Sequence, residues 1–432
     1  MKCARTAEAL RLGLAVAALL VAAACAGDDP APDAPQASGD QRIVLVGPRF
    51  DVWTVGEDGG GPERFIGEGA VEGGATLASF RGQQSEMVRY TWPTWSPDGR
   101  RVALSRAPGA GEGAVAGLVM LDTDGSKVRQ VHETLRGSVP LVAQGAPHYA
   151  LWAPTSRALS FVAPRERGRG LGLFPVDSEG DRLYEVAANA PLYHVWSPDG
   201  RLMLVHRREQ LLLHDMRDRS TRNLDADSFR YRVPAFSPDG ERIAYVVEED
   251  GVGNLVASKV DGTDRVALMD VPGEAAFAWS PAGGRIAVAT KQATEPFYDG
   301  LYIVEEDGSG AREPLLRGAT AAFYWSPDGS RLAHVALAQG SLAWQVVDPV
   351  ARETRLLTGF IPAPDFLTHL QFFDQFAPSH LVWSADSTKL VFAGAIEGGE
   401  DHEVWVVDAV GNEAPRPLAE ARLAFWIPSP TE

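Results

Sequence analysis

The sequence has only two cysteines, Cys3 and Cys25, and both lie within its first 25 residues. No disulfide can therefore form within the remainder of the chain. Basic residues are also scarce: 40 lysines and arginines stand against 57 aspartates and glutamates, which gives a net charge of −17. Because no basic patch offsets this charge, we expect no binding to nucleic acid or to an anionic membrane surface.

Local motifs for catalysis and metal binding are missing too. No Gly-x-Ser-x-Gly occurs, and the nine histidines include no His-Glu-x-x-His and no close pair with ligand spacing. The glycine-rich stretch 109–113 is not followed by Gly-Lys-Ser/Thr, as a phosphate-binding loop would be. We therefore expect neither a cofactor nor a metal, and we assign no catalytic residue.

One five-residue motif recurs along the chain: an aromatic residue followed by Ser-Pro-Asp-Gly. This string is typical of a type I turn, in which proline fixes φ at the second position and glycine follows the turn. An apolar strand leads into each turn and another leaves it. The motif aromatics are Trp95, Trp196, Phe236 and Trp325, with Trp279 in a looser copy that has alanine in place of aspartate, and those of two degenerate copies are Trp152 and Trp383. We expect these side chains to wedge between adjacent repeats.

The motif aromatics lie 40 to 58 residues apart. A period of about 40 to 50 residues with four short strands in each repeat predicts a β-propeller. The motif, with apolar strands such as residues 242–246 after it, resembles the TolB-like branch of the WD40-like (PD40-type) β-propeller repeat family. The resemblance implies an all-β propeller over residues 42–432. It implies no activity, because the α/β domain of TolB and the hydrolase domain of the prolyl oligopeptidase family have no counterpart in this sequence.

The first and last segments of the predicted propeller complement each other. Residues 42–65 match the second, third and fourth strands of a repeat, and residues 421–430 match the missing first strand. We therefore expect the two ends to share one blade, which removes exposed sheet edges. Seven motifs plus one shared blade predict eight four-stranded blades. Seven blades is the alternative, in case the Trp152 copy does not form one.

The N-terminus has the pattern of a bacterial export signal. Basic residues precede an apolar run, residues 12–24, which is too short to span a bilayer. The run ends in Val-Ala-Ala-Ala-Cys, which resembles a lipobox with Cys25 as the lipid-attachment residue. We expect residues 1–24 to be a lipoprotein signal peptide and residues 25–41 a disordered tether. The protein would then be exported and lipid-anchored in the bacterial cell envelope, in the periplasm or on the outer surface. Cleavage at an Ala-x-Ala site without lipidation is the alternative.

Loop lengths divide the propeller into two faces. The motif turns and the turns between third and fourth strands are short, and up-and-down geometry puts both on one face, here called the turn face. The long connections lie on the opposite, long-loop face, where binding residues are expected to concentrate. Candidate ligand- or partner-binding residues at the strand entrances and in the long insertion on this face are Tyr90, Trp92, His148, Tyr149, Tyr193, His194, Arg230, Tyr231, Arg232, Phe372, Phe373 and His380. We expect Tyr193, Arg232 and His380 to be partly exposed, so that replacing them has a modest folding cost.

The most distinctive long connection is the insertion at residues 359–380. It is rich in phenylalanine, with the apolar spacing of a short helix. Capping of the long-loop face and docking of a partner are both compatible with it.

These features favour a monomeric, non-enzymatic envelope scaffold that binds a protein, peptide or glycan on its long-loop face and meets the membrane only through its lipid anchor. The alternative is a propeller-type lyase or glycoside hydrolase with its site at the channel mouth. Three histidines or two carboxylates within about 4–6 Å of one another there would favour the enzyme.

Overall fold

The computed structural model describes residues 41–66, 89–107, 117–133, 149–165, 170–225, 227–309, 313–338, 340–396, 399 and 402–429. The predicted signal peptide, Cys25, nearly all of the tether and His148 lie outside the described residues. Over the described part of the chain the secondary structure consists of thirty β-strands and two short helices. No helix in that part is both long and apolar enough to cross a membrane.

Five antiparallel sheets have four strands each. The first contains β1 (Arg42–Val46), β2 (Val52–Gly56), β3 (Glu63–Ile66) and β30 (Leu423–Trp426). The second contains β4 (Arg89–Trp95), β5 (Arg101–Ala107), β6 (Gly117–Asp122) and β7 (Val128–Glu133). The third contains β8 (Tyr149–Trp152), β9 (Ala158–Pro164), β10 (Leu171–Asp177) and β11 (Ala187–Ala188). The fourth contains β12 (Leu192–Trp196), β13 (Leu202–Arg207), β14 (Gln210–Asp215) and β15 (Thr221–Asp225), and the fifth contains β16 (Ala235–Phe236), β17 (Arg242–Glu249), β18 (Val252–Lys259) and β19 (Val266–Val271).

The sixth sheet has ten consecutive strands. They are β20 (Glu274–Trp279), β21 (Arg285–Lys291), β22 (Tyr298–Glu305), β23 (Pro314–Trp325), β24 (Leu332–Ala338), β25 (Ser341–Asp348), β26 (Glu353–Pro362), β27 (Lys389–Ile396), β28 (Glu403–Asp408) and β29 (Arg416–Glu420). The long strands β23 and β26 pair at one end with the strand before them and at the other end with the strand after them. Because they run without a break from one repeat into the next, the sheets do not fix the number of blades. The count of eight stays a prediction.

The predicted all-β propeller fold is confirmed by how the sheets adjoin. The first strands of neighbouring sheets contact one another, β4 with β8, β12 with β16 and β16 with β20. The ends of the chain meet in the first sheet, where β30 pairs with β1 in the register Ile43↔Trp426 and Leu45↔Ala424. All four of these side chains are buried. The expected closure of one sheet by both ends of the chain is therefore confirmed.

The motif turns have the predicted geometry. In the first copy, Gly99 N donates to Ser96 O at 2.8 Å, and Gly99 has φ 70, which glycine adopts without strain. The Ser96 hydroxyl donates to Asp98 at 2.6 Å and accepts from the N–H of Arg101 at 2.9 Å. The same serine contacts recur at Ser197, Ser237 and Ser326. The side chain thus ties the turn to the strand that follows it.

The two degenerate motif copies replace that glycine with a serine at positive φ, Ser156 (φ 59) and Ser387 (φ 62). Each serine hydroxyl accepts a hydrogen bond from a backbone N–H in an earlier motif turn. Ser156 accepts from Asp98 at 3.0 Å, and Ser387 accepts from Asp328 at 3.1 Å. A contact between turns therefore offsets the strain of a non-glycine residue in the left-handed region.

The motif tryptophans join neighbouring repeats, as predicted. Four of them donate an indole hydrogen bond to the residue directly before the motif tryptophan of the previous copy. The donor and acceptor pairs are Trp152 and Thr94 at 2.9 Å, Trp196 and Leu151 at 3.2 Å, Trp325 and Ala278 at 3.0 Å, and Trp383 and Tyr324 at 3.1 Å. Each of these four tryptophans therefore joins two repeats through a hydrogen bond as well as through apolar packing.

The insertion after β26 forms both helices, α1 (Pro364–Gln371) and α2 (Phe373–Phe376). Proline at the first helical position of α1 loses no hydrogen bond, because that N–H has no partner within a helix. The inner side of the helices buries Phe366, Leu370, Phe373 and Phe376, each at most 4% exposed. They contact β20, β23, β27 and β30, so the insertion caps the channel end formed by these inner strands.

Candidate functional site

Backbone hydrogen bonds place the short turns on one face. Within a sheet, the turn between the third and fourth strands bonds to the motif turn: Thr123 N donates to Arg100 O at 2.9 Å, and Glu306 N donates to Gly284 O at 2.9 Å. Since every strand crosses the sheet once, β1–β2, β21–β22 and the α1–α2 insertion lie at the opposite end. The candidate site is this second end, the mouth of the channel.

The structure divides the predicted binding residues into two groups. Tyr90, Tyr149, Tyr231, His194, Phe373 and His380 are each at most 7% exposed, whereas Trp92, Tyr193, Arg230, Arg232 and Phe372 are partly exposed. The expectation of partial exposure is correct for Tyr193 and Arg232 and wrong for His380, which is 1% exposed. The cause is the insertion together with two inner strands, because Phe376 of α2, Trp92 of β4 and Phe425 of β30 surround the His380 ring at 4.7 to 5.6 Å between ring centroids.

His194 is held in a buried hydrogen-bond chain. Its Nδ1 lies 2.8 Å from the Tyr149 hydroxyl, and its Nε2 lies 2.6 Å from the Ser160 hydroxyl. Burial lowers the pKa of His194 to about 3. Burial raises the pKa of the Tyr149 hydroxyl. Both groups are therefore neutral near pH 7, and their polar atoms are occupied by each other.

A second buried histidine, His206, was not predicted from the sequence. Its two ring nitrogens lie 2.8 Å from Arg232 O and 2.9 Å from Ser228 O, and its ring stacks on Tyr231 at 4.1 Å. Burial lowers the pKa of His206, and the two carbonyl contacts oppose that shift. It lies on β13, where the order of apolar and polar residues does not indicate that this side chain faces the neighbouring sheet.

Arg232 connects the insertion to the propeller. Its guanidinium contacts both carboxylate oxygens of Asp374 at 3.0 Å, donates to Gln371 O at 2.7 Å and to the Tyr298 hydroxyl at 3.3 Å, and lies 5.2 Å from the centre of the Phe372 ring. The Asp374 side chain is only 4% exposed. Burial lowers the pKa of Arg232, but the charges of Asp374 and the two nearby tyrosines outweigh that and raise it. Arg232 therefore fixes the junction of α1 and α2 and stays charged.

Around this contact lies a polar rim. It consists of the partly exposed Tyr193, Glu274 and Lys291 and the buried Tyr298, with Arg232 at its centre. Lys291 pairs with Glu274 at 3.2 Å and lies 5.5 Å from the Tyr298 ring centre. Burial raises the pKa of Tyr193, and Asp374 and Glu274 raise it further against the opposing effect of Arg232. Lys291 and Tyr298 both lie in residues 290–299, one of the long connections that the sequence assigns to the long-loop face, whereas Glu274 carried no sequence signal.

Two pockets open near the mouth. A pocket of about 520 Å³ adjoins the rim, and its lining includes Lys291, Phe297, Tyr298 and Tyr302. A smaller one of about 250 Å³ lies beside the start of α1, between Pro48, Pro364, His402 and Arg422. Arg230 does not join the rim, because it forms an ion pair with Glu248 at 2.6 Å.

Metal ligands do not converge among the described residues: no group of three or more His, Cys, Asp or Glu side chains there could hold an ion. The two mouth histidines of the insertion, His369 and His380, have ring centroids 6.2 Å apart. Both His369 nitrogens and His380 Nε2 are buried with no hydrogen-bond partner among those residues. Burial lowers the pKa of His380 to about 3 and lowers that of His369 well below its ordinary value.

No protein-family model and no curated protein matches this sequence. Solved structures are similar to it in fold. A eukaryotic initiation factor aligns with a TM-score of 0.54 and 14% identity, covering 92% of this chain and 100% of that one. An oligogalacturonate lyase in complex with manganese aligns at 0.47 and 12%, covering 78% and 86%, and TolB from Acinetobacter baumannii at 0.38 and 16%, covering 76% and 83%. At such low identity, similarity concerns the fold alone.

Proposed function

We propose that this protein is a non-enzymatic lipoprotein of the bacterial cell envelope, a rigid scaffold that binds a protein, peptide or glycan on its long-loop face. The observation that carries the proposal is the closed channel mouth. The α1–α2 insertion fills it with buried phenylalanines, and what remains accessible is a rim of tyrosine, arginine and lysine. Tyrosine and arginine are the residue types that dominate binding energy at interfaces.

The position of the first described residue supports a binding surface on the long-loop face. The Gln41 side chain accepts a hydrogen bond from Ala385 N in a motif turn, and Gln41 O accepts one from Glu57 N. Residue 41, the last of the predicted tether, therefore lies at the turn face. A lipid-anchored tether attached there leaves the long-loop face at the end of the propeller opposite the attachment point.

The contacts of two other buried histidines, His194 and His206, also favour binding over catalysis. His194 and His206 direct their ring nitrogens at partners inside the protein, and both are almost fully buried. A general acid or base must reach the substrate. For the lyase or glycoside hydrolase alternative, the rim offers the partly exposed Glu274 and Lys291 as candidate acid and base groups.

The test compares two pairs of variants in pull-downs from an envelope extract of the source bacterium. Tyr193→Ala removes a rim side chain and Gln371→Ala removes an exposed side chain next to Arg232, neither of them charged, and we expect both variants to lose the captured partner. Asp124→Ala and Asp307→Ala on the turn face are the matched controls and should retain it. Partner loss in the turn-face pair alone would contradict the proposed orientation. Turnover of an envelope polysaccharide that disappears in Lys291→Ala would contradict the non-enzymatic assignment.

A further inference from the structure

A second group of side chains lies where the first sheet meets the insertion, on the long-loop face. We call it the seam; it comprises the β1–β2 turn (residues 47–51), Arg89, the outer side of α1 and Arg422. Phe50 in this turn has φ 62. A bulky residue at positive φ is a backbone outlier, and such strain is often found at ligand-binding positions.

Two arginines flank the Phe50 ring. The guanidinium carbon of Arg89 lies 5.1 Å from the ring centre and that of Arg422 lies 4.4 Å from it. Asp365 neutralises Arg422 with a contact of 2.6 Å. Arg89 and the neighbouring Arg49 are both exposed and have no ion pair among the described residues. Among the described residues, the seam therefore carries two unpaired positive charges.

The acidic groups of the seam cancel only part of this charge. Asp365 is already paired with Arg422, and Asp51 accepts the indole N–H of Trp53 at 2.7 Å and lies 3.7 Å from Arg64. Glu420 lines the small pocket and is the one acid of this group without a partner in the described part of the chain. On a chain of net charge −17, a surface with surplus arginine is a local exception.

Exposed apolar surface continues from these arginines. Pro48 and Pro364 line the 250 Å³ pocket. Leu367, one turn further along α1 on the same side, is 38% exposed, and Ile361 just before the helix is 62% exposed. Free guanidiniums next to exposed prolines and leucine match a partner that has carboxylates and apolar side chains together.

We propose that the seam is a docking surface for an acidic polypeptide segment. Its carboxylates pair with Arg49 and Arg89, and its apolar side chains cover Pro48, Pro364 and Leu367. Arginine suits this role because its planar guanidinium binds carboxylates with two hydrogen bonds. The apolar stripe favours a peptide over a polysaccharide, which lacks side chains to cover it. This inference rests on the proposed function and specifies one partner class and one part of the long-loop face.

The probe is a fluorescein-labelled peptide with several glutamates beside leucine and phenylalanine, and binding is measured by fluorescence anisotropy. We expect the Arg49→Glu/Arg89→Glu variant to bind about tenfold more weakly or worse, and added salt to weaken the wild-type complex. Arg100→Glu/Arg217→Glu, exposed on the turn face, makes the same change in net charge and should bind like wild type. Leu367→Ser should weaken binding of this peptide but not that of a version with serine in place of the apolar residues.

Equal binding by the seam variant and wild type would overturn the proposal, as would equal binding of a peptide with lysine in place of glutamate. Heparin or phosphatidylglycerol vesicles that bind through the same arginines and are not displaced by the peptide would overturn it in favour of a different anionic partner. If the seam variants retain the captured partner while Tyr193→Ala and Gln371→Ala lose it, the seam inference fails and the proposed function stands. If all four variants retain it, both fail.

Discussion

The indole nitrogen of Trp152 donates a hydrogen bond to the backbone oxygen of Thr94, 2.9 Å away in the preceding sheet. Thr94 directly precedes Trp95, so one copy of the motif presents the acceptor that the next copy uses. A hydrogen bond has a preferred direction, whereas apolar contact does not. The repeated motif therefore fixes the angle between neighbouring sheets as well as filling the space between them.

Replacing Trp152 by phenylalanine should therefore destabilise the protein more than the same change at Trp95. Trp152→Phe leaves the Thr94 oxygen without its buried donor, at a cost of about 1–3 kcal/mol beyond the lost packing. Trp95 is the control, because it is a motif tryptophan with no indole hydrogen bond within the described residues. Urea unfolding of both variants measures the difference. Equal destabilisation would show that the indole bond contributes nothing.

Arg232→Ala should be strongly destabilising, contrary to the modest folding cost expected from the sequence. It leaves the Asp374 carboxylate buried without its partner, and breaking a buried pair costs about 3–5 kcal/mol, reduced here because Arg232 is 24% exposed. Arg230→Ala, which breaks the more exposed pair with Glu248, is the matched control and should cost less. Adding Asp374→Leu to Arg232→Ala should restore part of the loss in thermal unfolding. No rescue would mean that the ion pair is not the cause.

His369→Phe should stabilise the protein at acidic pH. Burial and the nearby His380 keep the pKa of His369 well below its ordinary value of 6.5, so the folded protein does not bind this proton as pH falls. The unfolded chain does bind it, and stability is lost progressively below about pH 6.5. Removing the group should gain about 2 kcal/mol at pH 5 relative to pH 8. Urea unfolding of wild type and variant at both values tests this, and a gain independent of pH would contradict it.

Deleting residues 421–432 should cause early unfolding or aggregation. The deletion removes β30, whose four side chains are at most 3% exposed, and uncovers the edge of β1. Deleting only residues 430–432 is the control and should change little. Melting temperature and light scattering report the two effects. A wild-type melting curve for the larger deletion would contradict the role of the shared sheet.

Cys25→Ser should abolish incorporation of labelled lipid and move the protein from the membrane to the soluble fraction. The reason is that the lipobox cysteine is the only attachment site the sequence offers after the apolar run. Metabolic labelling with a fatty acid and membrane fractionation measure the two outcomes. Cys3→Ser, within the predicted signal peptide, should leave both unchanged. A membrane fraction that is unaffected by Cys25→Ser would contradict anchoring through a lipid on this cysteine.

The sequence alone determined the repeat, its turn and the closure of the propeller. The turn at Ser-Pro-Asp-Gly follows from local backbone preferences, which act within a few residues and can be recognised in a single sequence. The shared sheet was predicted by comparison with the other repeats, because residues 42–65 lack the first strand of a repeat and residues 421–430 can supply it. These features depend on periodicity and turn chemistry, not on which side chains meet across the fold.

Only the tertiary structure decided which mouth residues are accessible. His380 and Tyr193 both precede a motif aromatic, yet His380 lies beneath α2 and Tyr193 remains partly exposed. The pairing of Arg232 with Asp374 joins residues 142 positions apart, and no local pattern encodes a contact at that separation. The seam likewise forms from a turn near the start of the chain, a helix and a residue just before the last strand. Burial and charge pairing depend on which residues the folded chain brings together. The sequence therefore predicted the long-loop face, whereas the tertiary structure determined which residues on that face are accessible.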